Sequence, residues 1–154
     1  MTDERKQEYT RRIAQANRTE VVVITYEIAL DYLADARAAE DNNSFDESVR
    51  KAKKCVEQLR DALDMNYANI SVPLANLYNY VTLQMDKAVM KEDQNYLDDC
   101  EMVLKSMHET FQEVAKQDTS DPMMANSEMV YSGLTYGKNG ANENLSGVNR
   151  GMMA

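Results

Sequence analysis

The chain has 154 residues, 44% of them hydrophobic and 28% charged, the size of one ordinary soluble domain with a single core. Acidic side chains outnumber basic ones by 26 to 17, and the net charge of −9 argues against a sequence-independent grip on nucleic acid or anionic lipid. Every glycine lies at or after Gly133, and the only prolines are Pro73 and Pro122; a sheet protein would need positive-φ turn residues in the body, so helices joined by polar links are expected.

A first, short helix is predicted from Thr2 to about Ala16, with Asp3 and Glu4 in its first turn at the positive end of the helix dipole. Its stripe of Tyr9, Ile13 and Ala16 is narrow, which suits a segment lying on a body rather than inside it. Asn17-Arg18-Thr19-Glu20 reads as a capping box that opens a second helix, over roughly 18 to 40. Ser44 and Glu47 read as another box before a third helix, Phe45 to Asp64, with the stripe Phe45, Val49, Ala52, Val56, Leu59, Leu63. Ser71 or Asn69 caps a fourth, where Pro73 falls in the first turn and Leu74, Tyr78, Val81, Met85 and Ala88 face inward. Asp93 caps a fifth to about Asp118, striped by Leu97, Cys100, Leu104, Met107, Phe111 and Val114. Steps of three and four suit core packing between helices. The expected fold is all-α: an antiparallel four-helix bundle over residues 1–118, a short N-terminal helix (1–16) capping it, and an irregular C-terminal extension over 119–154.

Two helices carry more apolar surface than such a core needs. From Val21 to Ala36 only Thr25, Glu27, Asp31 and Asp35 are polar; besides the core stripe Val22, Tyr26, Ala29, Leu33, Ala36, that leaves Val23, Ile24, Ile28, Leu30 and Tyr32 seeking cover. In the fourth helix Tyr80 and Leu83 project about 120° or more from the core stripe at 100° per residue, with Leu77 bridging the two faces. Either the first helix and the tail cover this surface, or it forms a groove for an amphipathic partner helix. The groove residues on the second reading are Val23, Tyr26, Leu30, Leu77, Tyr80 and Leu83.

Catalytic readings find little support. Without a glycine before 133 no phosphate-cradling loop precedes a helix of the body, and a single histidine, His108, cannot supply the ligands of a di-iron bundle. His108 in Lys-Ser-Met-His-Glu-Thr lacks the flanking Lys and Gly expected of a histidine phosphotransfer module, the rival reading from another class. The carboxylates of Glu92-Asp93 and Asp98-Asp99 read as a solvated face, without a cation loop. No metal or cofactor is expected. Cys55 and Cys100 lie inside apolar helical patterns and are expected as reduced, buried thiols. No 18-residue apolar run and no signal-peptide core are present, so a cytoplasmic protein without membrane insertion is expected.

In their order along the chain, several phrases resemble those of the flagellin-specific export chaperone family, FliS. Asn17-Arg-Thr-Glu-Val-Val and Ile24-Thr-Tyr-Glu-Ile-Ala29 are similar to its cap phrase and its Leu-Tyr-Asp-Gly-Ala helix. Lys51-Ala52, Cys55-Val56, Gln58-Leu59 and Leu63-Asp64 keep the spacing of its third helix, and Leu77-Tyr-Asn-Tyr-Val81 with Met85, Ala88 and Asp93 resembles its Leu-Tyr-Asp-Tyr-Ile phrase. The likeness spans about residues 9 to 118. Arg18, Ile28, Leu83 and Phe111 depart from it, standing where the family has proline, a small residue, often arginine, and commonly tryptophan.

The resemblance implies a cytoplasmic, non-enzymatic chaperone that binds the C-terminal, disordered segment of flagellin, prevents premature filament assembly and hands the subunit to the flagellar type III export apparatus. It also implies an N-terminal segment lying over the client surface, with Tyr9 and Ile13 as its plugs. Whether the free protein forms a homodimer is left open. The rival within binding proteins is a helical adaptor for some other amphipathic helix. Beyond the likeness, the apolar island of Met129 to Tyr136 is expected to pack on the bundle or on a neighbouring copy through Val130, Tyr131, Leu134 and Tyr136.

Overall fold

A computed structural model describes residues 1–124; the extension's apolar island lies outside the described residues. These residues are helical, with no strand among them: α1 (Asp3–Gln15), α2 (Arg18–Ala38), α3 (Asn42–Asp61), α4 (Ala68–Lys91) and α5 (Leu97–Gln117). Single 3-10 turns, Met65–Tyr67 and Gln94–Tyr96, lead into α4 and α5.

The helix starts follow local hydrogen bonding. At the head of α2 the expected capping box forms: the Asn17 side chain accepts from the Glu20 amide at 2.9 Å, and the Asn17 amide donates to the Glu20 carboxylate at 2.8 Å. α3 starts earlier than expected because Asp41, not Ser44, is its cap, accepting from the Ser44 amide at 2.8 Å. α4 also starts earlier. Ser71 is no cap; its hydroxyl donates to the Asp64 carbonyl at 2.6 Å and pins the preceding turn. Pro73 thus sits beyond the first turn of α4, where its missing amide frees the carbonyl of Asn69 on an exposed stretch. Asp93 caps the 3-10 turn ahead of α5, accepting from the Asn95 amide at 2.9 Å.

Packing joins α2 to α3 and α5, and α4 to the same two helices, so α2 and α4 occupy a diagonal. Side-chain pairs give the directions. Arg37 meets Asp98 and Glu101, Glu27 meets His108, and Thr19 meets Asp118, so α2 and α5 are antiparallel. Lys53–Asp86 and Arg60–Asn79 make α3 and α4 antiparallel.

Between the four helices lie the expected stripes: Ala29, Leu33 and Ala36; Val49, Ala52, Val56 and Leu59; Val81, Met85 and Ala88; Leu97, Cys100 and Leu104. Full burial of each large aliphatic side chain contributes about 1.5–3 kcal/mol. The α5 stripe opens toward its C-terminus, where Met107 and Phe111 are half-buried and Val114 is exposed. Near the middle, the buried Tyr26 and Tyr78 hydroxyls bond each other, satisfying two polar groups that would each cost about 1–3 kcal/mol if left alone. Phe111 stacks at a tilt on Tyr26, 5.7 Å between centroids. Cys55 and Cys100 are free and buried, and burial pushes their thiols up to about 11 and about 12.

Candidate partner-binding site

The helix α1 lies outside this core, on the outer face of α2. Tyr9, Ala16 and Ile24 are buried in the seam, with Ile13, Val21 and Ile28 packed against them. Ile28, bulky where the resembling family is small, is therefore covered from both sides, by the core and by α1.

A row of carboxylates borders the seam. Glu27, Asp31 and Asp35 recur every fourth residue, which places them on one line along α2. Asp35 receives the Met1 ammonium at 2.6 Å, Asp31 the Arg5 Nε at 2.8 Å and the Tyr9 hydroxyl at 2.5 Å, and Glu27 the Arg12 guanidinium at 2.7 Å. Partners that climb one helix while descending the other make α1 antiparallel to α2. From α5, His108 Nε2 adds a contact of 2.9 Å to Glu27. Burial would raise the Glu27 carboxyl, but hydrogen bonds and charge from Arg12 and His108 outweigh it and hold it below the ordinary carboxylate value. Burial, reinforced by the bond to Asp31, pushes the Tyr9 phenol far above its ordinary value.

Magnitudes separate the roles of these groups. The half-screened Arg12–Glu27 pair contributes about 1 kcal/mol or less, whereas burying Tyr9 contributes about 1.5–3 kcal/mol. Apolar contact holds α1 down; the ion pairs set its register and direction.

Beside the seam, α1, α2 and α5 enclose an open cleft of about 570 Å³ lined by the apolar Val23, Ile24 and Ala115, with Arg12, Glu20, Glu27 and Lys116 among its charged groups. The chain after α5 returns to its edge: the Asn17 side-chain amide donates to the Asp118 carbonyl at 3.2 Å, and the Met123 amide to the Ala16 carbonyl at 3.0 Å. Hydroxyls of Ser120 and Thr19 hold the Asp118 carboxyl down at about 2.

The six expected groove residues do not share one groove, because α2 and α4 lie on a diagonal. Tyr26 belongs to the core: it is 0% exposed, and its hydroxyl faces Tyr78. Val23 lines the cleft, while Leu30 is half-buried against the core. On α4, Leu77 is half-buried, and Tyr80 and Leu83 are 43% and 51% exposed. Tyr80 donates to Asp99 of α5 at 2.6 Å, which lays its ring toward that helix. Tyr9 and Ile13 do sit over α2, on Ile24 and its neighbours rather than on Tyr26. The carboxylate row and its partners Arg5 and Arg12 went unread, although acidic residues spaced by four in an otherwise apolar helix were its signal.

Enzymatic readings gain nothing from this geometry. The His108 side chain is 19% exposed and engaged by Glu27, an unfavourable setting for phosphotransfer. No cluster able to hold a metal ion occurs among the described residues, and no helix among them is long and apolar enough to cross a membrane.

The family model for flagellar protein FliS matches residues 1–118, the whole helical body with its N-terminal helix. The chain belongs to the FliS family. FliS proteins are chaperones of flagellar assembly and export and are not enzymes. No curated protein matches the chain. The FliS match ends at Asp118, the residue tied back to Asn17 and Thr19, so residues 119–154 are an addition to what the FliS model describes.

Proposed function

We propose that this chain is a cytoplasmic export chaperone that binds the C-terminal segment of flagellin, prevents its premature polymerisation and delivers it to the flagellar type III export apparatus. One observation carries the reading to this molecule: among the described residues an apolar face of α2 is covered by a separate helix, seated through a few apolar side chains and partly buried ion pairs. Such a cover can be exchanged for another amphipathic segment at a cost of a few kcal/mol, an order of magnitude that partner burial can offset at about 25 cal/mol per Å².

The proposed client surface has two parts on an antiparallel four-helix scaffold. One is the α2 face that α1 occupies through Tyr9 and Ile13, flanked by Val23 and Leu30; the other is the α4 face of Leu77, Tyr80 and Leu83. A client segment that is disordered before binding can wrap from one to the other, the entropy of ordering being offset by a long interface.

Calorimetric titration with the C-terminal segment of flagellin from the same source tests the reading, comparing the native chain with Tyr80→Ala plus Leu83→Asp. Alanine is used at 80 because a carboxylate there would repel Asp99. One-to-one binding that the double substitution weakens tenfold or more is the expected result. Failure of the native chain to bind, also after Arg12→Ala and Ile13→Ala loosen α1, overturns it.

A further inference from the structure

The cleft beside α1 has a mixed lining, apolar at Ala16, Val23, Ile24 and Ala115, and several of its charged groups are already partnered: Arg12 with Glu27, Lys116 with Glu113, and Glu20 with the Asn17 amide. It therefore suits an uncharged occupant that offers apolar side chains to the first set and hydroxyls to the amides of Gln15 and Gln112, which also line it.

The chain supplies such a segment close by. Residues 129–136, Met-Val-Tyr-Ser-Gly-Leu-Thr-Tyr, carry no charge and hold two tyrosines, while Glu128 precedes them and Lys138 follows. The path to them starts at the cleft, since Met123 is hydrogen-bonded to Ala16, itself a lining residue. From Met124 the five residues to Met129 span at most about 17 Å when extended, enough to enter the cleft and too little to reach far beyond the neighbouring faces. Tethering raises the local concentration of the segment to the millimolar range, so even weak affinity fills the site.

We propose that residues 129–136 dock in cis in the cleft between α1, α2 and α5, an occupant that the FliS model, which ends at residue 118, does not describe. A segment seated there touches Val23 and flanks α1, so it adds a second cover at the edge of the α2 face. The inference stands apart from the identity of the client.

Nitroxide labelling of the full chain at Asn139→Cys tests it, because the label lies just past the island and the native Cys55 and Cys100 are buried. Methyl signals of Val23, Ile24 and Ala115 are expected to broaden within one molecule, and Val130→Ser plus Leu134→Ser is expected to abolish that broadening. Broadening confined to residues near 118–124, or unchanged by the two serines, overturns the proposal. So does broadening seen only when labelled and isotope-enriched chains are mixed, which would place the segment on a second copy. No flagellin enters the experiment, so its failure leaves the client reading intact.

Discussion

The outer faces of α2 and α4 are both more apolar than the core requires, and the fold treats them differently. The α2 face is roofed by α1, whose own outer surface is polar and whose edge is set by a row of paired carboxylates. The α4 face has Tyr80 and Leu83 about half exposed, with one hydroxyl anchored to Asp99. Covering an apolar strip with a separate helix keeps it from promiscuous contact; leaving a smaller one exposed costs less, because scattered exposed apolar residues are ordinary.

This contrast can be broken first at its boundary with the core. Tyr26→Ala removes a fully buried ring and its bond to Tyr78, and urea unfolding is expected to show a loss of about 3–5 kcal/mol. A loss under about 0.5 kcal/mol would return Tyr26 to a surface role. Ile24→Ala, under α1, is expected to cost about 2–4 kcal/mol and to speed amide exchange in α1 far more than in α3. Equal acceleration in both would mean that α1 is part of the core unit.

Acid sharpens the contrast at the carboxylate row. Because Glu27 is held below its ordinary value of 4.5, its contribution is present above that pH and is lost as pH falls through the lower folded value. Exchange protection of α1 is therefore expected to weaken below about pH 4.5, and Glu27→Gln to remove most of that dependence. The smallest stability effect belongs to the exposed α4 face: Leu83→Ser is expected to change unfolding free energy by less than about 0.5 kcal/mol, while, on the proposed function, reducing affinity for the flagellin segment.

Much of the body was legible in the sequence. Val49, Ala52, Val56 and Leu59 recur at helical spacing, and the Asn17–Glu20 box closes within one turn, so local pattern suffices for both. The arrangement of faces was harder to read. Periodicity puts Val23, Tyr26 and Leu30 toward one side of α2, but which neighbour each meets depends on the circular order of the helices, a long-range property. Because α4 lies diagonally from α2, the residues expected to share one groove fall on separate faces. The α1 latch depends likewise on the register between two helices, which neither stripe specifies alone. Tyr9 and Ile13 were readable because apolar side chains on a thin helix have few places to go.

The chain has nine tyrosines and no tryptophan, and one of those tyrosines is bound to the seating of α1. Tyr9 resists ionisation because it is buried and bonded to Asp31; once α1 lifts away, its phenol titrates near 10 as in a free peptide. Above that pH, a molecule whose α1 is displaced is expected to carry a phenolate at Tyr9 that a seated one lacks. Lifting of α1 is thus expected to register as a proton released only in buffer at about pH 10 or above, and Tyr9→Phe is expected to abolish that release.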